Sequence, residues 1–160
     1  MTARALVALC TERGLTVTCA ESCTGGLVCA AVTDVPGSSA IFERGFVTYA
    51  NGAKTEMLGV DKASLEAHGA VSEEVAAEMA EGAQTAARAD IAVAITGIAG
   101  PGGSEFKPEG RVCFAVVGPG TPLRAHTVDF GALGRDAVRH AACDHALGVL
   151  LAAAQAAAGP

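Results

Sequence analysis

A serine stands where an apolar stretch of the chain gives way to a pair of glycines. The run ESCTGG, residues 21–26, follows the β-branched stretch LTVTCA and precedes a run rich in Ala and Val. A turn between a strand and a helix is where open α/β sheets bind ligands. Gly25 and Gly26 let a ligand approach the backbone, and free N–H groups at a helix start attract an anion. The run therefore indicates a nucleophile beside an anion-binding turn, although simple capping of the helix by Ser22 or Thr24 explains the same residues.

Cys23 is a second candidate nucleophile in the same run. A thiolate at a helix N-terminus has a lowered pKa, so the residues alone leave Ser22 and Cys23 as equal candidates. Neither the G-x-S-x-G elbow nor the Walker A pattern is present to decide between them. The other cysteines lie mostly in apolar runs, where we expect them to act as small buried hydrophobes.

A lysine follows the end of a predicted strand and offers a base. In the run YANGAK, residues 49–54, Asn51 and the glycine after it mark a turn, which places Lys54 in the first turn of the next helix. A cation there opposes the helix dipole and costs stability unless something local needs the charge. A lysine near a serine acts as its base once burial lowers its pKa. The alternative is a solvated lysine, with Tyr49 an ordinary strand residue.

A glycine-rich stretch, residues 97–110, joins two predicted strands and is longer than a hairpin needs. Loops of this length in compact domains are usually functional or mobile, and successive N–H groups in such a loop form a concave anion site. The stretch matches neither G-x-G-x-x-G nor Walker A, which argues against a dinucleotide or P-loop site. A flexible lid is the alternative interpretation.

Two arginines, Arg135 and Arg139, lie four residues apart near the start of the predicted last helix and so share one face. Together they are suited to hold a phosphate or a carboxylate through paired hydrogen bonds, although pairing with surface acids is the commoner role. The histidines form neither an H-E-x-x-H motif nor an i, i+4 pair, and no cysteines flank a histidine at zinc-ligand spacing. The sequence therefore predicts no metal site.

Helices and strands must bring these separate segments together. The apolar patterning predicts helices over residues 2–13, 27–32, 53–58 and 61–68, from an N-cap at Ser72 to at least 86, and from 135 to about 157, and strands over 15–20, 41–50, 90–96, 111–118 and 123–130. A Gly- and Pro-rich turn joins the last two strands, which we expect to be antiparallel neighbours. Helices interleaved with strands predict one α/β domain over residues 1–160, with a mixed, mostly buried sheet of about five or six strands covered on both faces.

Composition narrows the class of protein. Hydrophobic residues make up 51% of the chain and charged residues 18%, which excludes a disordered protein. A net charge of −6, with the basic residues scattered, argues against nucleic acid as a partner, because phosphate backbones are held by clustered Lys and Arg. No signal peptide is recognisable and no run reaches ~18 apolar residues, so we expect a cytoplasmic protein without membrane contact. The Ala-rich last helix, with its thin polar face, suggests a homo-oligomer, a dimer or larger.

Five segments taken together resemble the CinA C-terminal domain family. They are AESCTGG, the DVPGSSA turn, VTYANGAK, LEAHGAVSEEVAAEMAEGA and AITGIAGPGG, in this order along the chain. The resemblance runs from about Thr16 to the last helix, and the chain looks like the stand-alone members of the PncC type. It implies a three-layer α/β/α sandwich and an enzyme of pyridine nucleotide salvage, which converts nicotinamide mononucleotide (NMN) and water to nicotinate mononucleotide and ammonia. It implies no metal and no organic cofactor.

Carried over by position, the family's catalytic residues fall on Ser22 as the nucleophile, with Tyr49 and Lys54 as its activating partners. The resemblance also implies that an arginine of the last helix, Arg135 or Arg139, meets the substrate. The other substrate-binding positions that it implies are Thr24, Gly25, Gly26, Asn51, Thr96, Gly97, Gly100, Gly102 and Gly103.

The residues leave two other functions open. One is a regulatory module that binds a pyridine nucleotide without turning it over, and the other is an amidase that uses Cys23 on another phosphorylated amide. Ammonia release from NMN distinguishes an enzyme from a binding module. The separate replacement of Ser22 and Cys23 distinguishes the two nucleophiles.

Overall fold

Residues 1–158, which the computed structural model describes, form six α-helices and five strands joined by loops. The helices are α1 (Thr2–Arg13), α2 (Leu27–Thr33), α3 (Asn51–Leu58), α4 (Lys62–His68), α5 (Glu73–Ala87) and α6 (Arg135–Ala156). The strands are β1 (Val17–Glu21), β2 (Phe46–Val47), β3 (Ile91–Gly97), β4 (Arg111–Gly118) and β5 (Thr121–Asp129). A single 3-10 turn covers Ser38–Ala40.

The strands form one mixed sheet in the order β2-β1-β3-β4-β5. β1 pairs in parallel with β2 and β3, whereas β4 pairs antiparallel with β3 and β5. The predicted antiparallel arrangement of the last two strands is therefore confirmed. Because β2, β1 and β3 run in the same direction, their carboxyl ends meet at one edge of the sheet. The chain leaves that edge at Ser22, Thr48 and Ile98.

Helices cover both faces of this sheet. α1, α2 and α6 pack on one face, while α5, flanked by α3 and α4, packs on the other. In β3 the isoleucine and valine side chains belong to the α6 side of the core, whereas Ala92 and Ala94 belong to the α5 side. Small residues on that second face allow the helix to lie close to the sheet. The result is the three-layer α/β/α arrangement that was expected, so the predicted fold class is confirmed.

The predicted strand over residues 41–50 is wrong in extent, because only two of its residues form β2. Thr18 Oγ1 donates a hydrogen bond of 2.8 Å to the carbonyl of Arg44, an acceptor that a longer ladder would use. Gly45 is packed so closely that a Cβ there would lie 2.4 Å from Cys29 Sγ. Outside β2, the bridge between Val17 and Phe42 pairs this segment with β1, and residues 44 and 45 contact Thr18 and Cys29 through side chains.

The predicted helices occur with small shifts at their ends. α3 begins at Asn51 rather than at residue 53, so Lys54 is its fourth residue. Ser72 caps α5 as expected, since its Oγ accepts a hydrogen bond of 3.2 Å from the N–H of Val75. Within residues 1–158, no helix combines the length and the apolar character needed to cross a membrane.

Candidate active site

A cavity of about 350 Å³ opens at the edge of the sheet where the parallel strands end. Four connections, the first turn of α3, the end of β3 and the first residue of α6 surround it. The residues that line it are Ser22, Cys23, Tyr49, Asn51, Lys54, Ala70, Val71, Thr96, Gly97, Ile98, Ala99, Gly100, Pro101, Gly102 and Arg135. The parallel topology thus brings together three segments that are far apart in the sequence.

Ser22 and Lys54 meet at the wall of this cavity. Ser22 follows β1, and its N–H donates to the carbonyl of Ile95 at 2.9 Å, which extends the pairing of β1 with β3. Lys54 lies on α3 with only 1% of its surface exposed, and its Nζ is 3.1 Å from Ser22 Oγ. Lys54 Nζ also donates to the carbonyl oxygens of Thr48, at 2.9 Å, and Tyr49, at 3.2 Å. These contacts contradict the alternative of a solvated lysine.

Burial governs the protonation of Lys54. It lowers the pKa of the ammonium group below its ordinary value of 10.5, because a charged amine loses its hydration there. The two carbonyl oxygens accept hydrogen bonds only, so they hold two N–H groups of the amine in either protonation state. In the neutral amine the remaining lone pair is then directed to the Ser22 hydroxyl. This is the arrangement that a general base for a serine requires.

Glu21 was missed by the sequence interpretation, yet it organises the turn that carries Ser22. Its side chain is fully buried, and its carboxylate accepts hydrogen bonds from the N–H groups of Gly26, Val28 and Cys29 at 3.2, 3.0 and 3.0 Å. The signal was an acid at the end of an otherwise apolar strand, just before a helix start. A carboxylate of the chain itself thus occupies the amino end of α2 that was expected to attract a substrate anion.

Thr24, Gly25 and Gly26 belong to the turn that begins at Ser22, but they lie outside the lining of the cavity. No side chain of the turn caps α2 through its hydroxyl group, so the capping alternative for Ser22 and Thr24 is also wrong. Arg139 occupies the space next to these residues. Its guanidinium donates to the carbonyls of Cys23, at 3.0 Å, and Thr24, at 3.1 Å, and so holds the turn from α6.

Arg135 is the arginine that reaches the cavity. It donates to the carbonyl of Gly100 at 2.7 Å and to the hydroxyl of Tyr49 at 2.8 Å. Tyr49 is 60% exposed, and among the residues that the structure describes no hydrogen bond joins its hydroxyl to Ser22 or Lys54. Its backbone carbonyl, not its phenol, contacts the lysine. A guanidinium has five donors, so Arg135 keeps several for a ligand.

The stretch after β3 forms the opposite wall. Thr96 Oγ1 donates to the carbonyl of Ala70 at 2.8 Å, which joins this wall to the α4–α5 connection. At Gly97 a Cβ would lie 2.7 Å from Val112 Cγ2, so close packing requires glycine there, and Gly100 has a φ of +93°, which favours glycine. Gly102 lines the cavity, whereas Gly103 lies outside its lining.

The loop beyond this wall is attached to the body of the domain by a lysine that sequence reasoning did not single out. Lys107 Nζ donates to the carbonyl of His68 at 2.7 Å and to that of Val71. Both acceptors lie at the end of α4 or just after it, next to the cavity. The lysine therefore fixes part of the 97–110 loop, which counts against a wholly free lid.

Several backbone N–H groups around the cavity are without acceptors. Among residues 1–158, the N–H groups of Cys23, Ala99, Gly100 and Gly102 make no hydrogen bond to another residue. All four residues line the cavity. These donors are available to an anionic or carbonyl group of a bound ligand.

The electrostatics of Cys23 run against the thiolate alternative. Burial raises the pKa of its thiol to about 11, more than its own backbone N–H and the nearby Arg139 and Lys54 lower it. A helix N-terminus would favour a thiolate, but Glu21 already neutralises that end of α2. The thiol therefore remains protonated at neutral pH. Within the described residues, no group of three or more His, Cys, Asp or Glu side chains is placed to hold a metal ion.

Comparisons with known proteins place this geometry in a family. The chain is 57% identical over 140 residues to the nicotinamide-nucleotide amidohydrolase PncC of Escherichia coli, with 86% of this chain and 84% of that protein aligned. It is 55% identical over 150 residues to a competence-damage inducible protein of Symbiobacterium thermophilum, of which it spans only 35%. The crystal structure of the competence/damage inducible protein CihA from Agrobacterium tumefaciens superposes with a TM-score of 0.91 at 47% identity, covering 94% of this chain and 92% of that one. The family model for the CinA C-terminal domain matches residues 1–154, and the chain belongs to that family.

Proposed function

We propose that this protein is an amidohydrolase that converts NMN and water to nicotinate mononucleotide and ammonia, with Ser22 as the nucleophile and Lys54 as its base. The observation that carries the proposal is the 3.1 Å contact between a buried lysine amine and a serine hydroxyl at the wall of a cavity. The similarity to the E. coli nicotinamide-nucleotide amidohydrolase supports the choice of substrate.

The chemistry balances with these two side chains and one water. Ser22 Oγ forms a bond to the carboxamide carbon, and its proton passes to neutral Lys54 Nζ. Lys54 then gives that proton to the amide nitrogen, the C–N bond breaks, and ammonia leaves an acyl-serine ester. Water, deprotonated by the same amine, attacks the ester and releases the carboxylate and the regenerated serine. No redox partner is required.

The anion-binding part of the proposal differs from the expected one. Because Glu21 already occupies the amino end of α2, we place the 5′-phosphate of NMN at Arg135 and the free N–H groups of Ala99, Gly100 and Gly102. Tyr49 then acts on the phosphate side through its contact with Arg135. An activating role of its phenol toward Ser22 remains a prediction.

Turnover of NMN by Ser22→Ala tests the proposal. The parent protein should release ammonia and nicotinate mononucleotide in equal amounts, whereas the variant should lose at least ~10³-fold in kcat with an unchanged thermal unfolding curve. Cys23→Ala keeps the backbone amide and separates the two nucleophiles. Near-normal turnover by Ser22→Ala, together with loss in Cys23→Ala, would transfer the role to Cys23. Calorimetric binding of NMN without ammonia release by the parent would indicate a binding module instead.

A further inference from the structure

We propose that Glu21 is a positioning residue for this reaction, whose buried carboxylate fixes the turn over residues 22–26 so that Ser22 faces Lys54 and the N–H of Cys23 stays free for the oxyanion. The inference rests on the proposed function. In this role Glu21 does not touch the substrate and acts through the turn.

The carboxylate of Glu21 is a complete acceptor site. Oε1 accepts from the N–H groups of Gly26, at 3.2 Å, and Val28, at 3.0 Å, and Oε2 accepts from that of Cys29, at 3.0 Å. The side chain has no exposed surface. A buried charge is tolerated only when it is satisfied in this way. The side chain of the last residue of β1 therefore fastens the first turn of α2 back onto the strand.

The backbone on both sides of Ser22 is fixed as well. The carbonyl of Glu21 accepts from Thr48 N–H at 2.8 Å, and Ser22 N–H donates to Ile95 at 2.9 Å. From the other side, Arg139 holds the carbonyls of Cys23 and Thr24. The turn is consequently held at three places: the sheet, the amino end of α2, and α6.

These restraints determine the direction of the Cys23 N–H. The carbonyl of Ser22 points into the turn, where it accepts from Gly25 N–H at 3.0 Å. In a trans peptide the N–H of the next residue points the opposite way, so the Cys23 N–H is directed out of the turn. Cys23 lines the cavity, and its N–H donates no hydrogen bond to another residue within residues 1–158. The N–H of the residue after a nucleophilic serine is a recurrent oxyanion donor in hydrolases.

The variant Glu21→Gln tests this role because glutamine keeps the length of the side chain. Its single oxygen serves at most part of the three N–H groups, and its NH₂ group opposes the rest, so the turn should relax. We expect kcat for NMN to fall by about 100-fold, the usual effect of losing one oxyanion donor, with KM changed by less than about threefold.

The matched control is Asp90→Asn. The carboxylate of Asp90 accepts from the N–H and the hydroxyl of Thr16 at 2.8 and 3.0 Å, at the opposite end of β1 from the cavity. This variant should lower the unfolding temperature without changing kcat. If Glu21→Gln does not fold, Arg139→Lys loosens the same turn from α6, because one ammonium cannot replace a guanidinium fork at two carbonyls, and the same selective loss of kcat is expected.

An unchanged kcat in a folded Glu21→Gln protein would overturn the inference, as would a rise in KM at constant kcat. Both of those outcomes leave the proposed function intact, because the parent still releases ammonia. A parent protein that releases no ammonia from NMN overturns the proposed function, and this inference with it.

Discussion

Lys54 shows how a single residue can be costly to the fold and useful to the site. Its amine is surrounded by Ser22 and two carbonyl groups, with no carboxylate among its hydrogen-bond partners in the described chain. Burial of the ammonium form without a counter-ion is unfavourable, so folding shifts the protonation equilibrium of Lys54 toward the neutral amine. The same neutral amine is what a serine needs in order to lose its proton at moderate pH.

The sign of this effect predicts how stability depends on pH. The pKa of Lys54 is lowered in the folded protein and has its ordinary value of about 10.5 in the unfolded chain. Between these two values the unfolded chain binds more protons, so the free energy of unfolding should rise with pH. Urea unfolding of the parent and of Lys54→Met, compared at several pH values up to 10.5, should give a difference that moves in favour of the parent as pH increases.

The activity should follow the same group. The kcat/KM of the parent should increase with pH as Lys54 loses its proton, with the midpoint below the ordinary value of 10.5. In the urea experiment, a difference in the free energy of unfolding between the parent and Lys54→Met that stays constant or falls as the pH rises to 10.5 would show that Lys54 is not neutralised by burial. Lys54→Met should show no rise of activity with pH, since it has no amine to titrate.

At the scale of elements, the position of α3 depends on a close contact with α5. A Cβ at Gly82 in α5 would lie 1.9 Å from the carbonyl oxygen of Leu58, the last residue of α3. No substituent fits there unless the backbone of one helix moves. Because α3 carries Lys54, this contact helps to set the distance between the amine and Ser22.

Gly82→Ala should therefore destabilise the fold by about 1 to 3 kcal/mol, as overpacking usually does, and lower kcat for NMN several-fold. Gly148→Ala is the matched control, because Gly148 also lies within a helix but a Cβ there meets nothing within 4 Å. That variant should be neutral or more stable by up to ~1 kcal/mol. Equal unfolding free energies for the two variants, measured in urea, would contradict the role of the α3–α5 contact.

Elements with a strong local signal were predictable, and those built by tertiary contacts were not. The apolar run of β3 and the capped, periodic α5 are patterns within one segment, so they could be recognised without a structure. The short β2 lies in a segment that is held by contacts between distant parts of the chain, such as the hydrogen bond from Thr18 to the carbonyl of Arg44. No local pattern carries that information.

The residues of the candidate site likewise fall into those with a local sequence signal and those placed by tertiary contacts. The local patterns made Ser22 and Lys54 candidates, because a serine follows a strand end and a lysine lies at a helix start, but their roles as nucleophile and base were implied only by the resemblance to the family. The separate tasks of Arg135 and Arg139 could not be assigned, since residues four apart share a helix face. Only the packing of α6 against the Ser22 turn directs one arginine to the cavity and the other to the turn.

At the scale of the whole molecule, the many alanines of α6 are accounted for by contacts within the chain. Its buried face packs against α1, α2 and the sheet, so the Ala-rich composition reflects close intramolecular packing. The alanines of α6 therefore do not by themselves indicate an oligomer, and the oligomeric state remains a prediction. The same helix extends from the cavity to α1, because its first residue, Arg135, lines the cavity and its last turn contacts α1.

That last contact predicts that stability and activity can be separated. Arg13, at the end of α1, donates to the carbonyls of Ala154 and Ala157 at 2.8 and 2.7 Å and so satisfies the carboxyl end of α6. Arg13→Ala should lower the free energy of unfolding by about 1 to 2 kcal/mol and the Tm by about 2 to 8 °C. It should leave kcat for NMN unchanged, because Arg13 lies at the amino end of β1, opposite the cavity.

Arg4→Ala on the same helix removes an exposed arginine that makes no side-chain hydrogen bond within residues 1–158, and it should change neither quantity. A fall in kcat in Arg13→Ala at a temperature where the variant is fully folded would show instead that α6 transmits changes at its carboxyl end to Arg135 and Arg139.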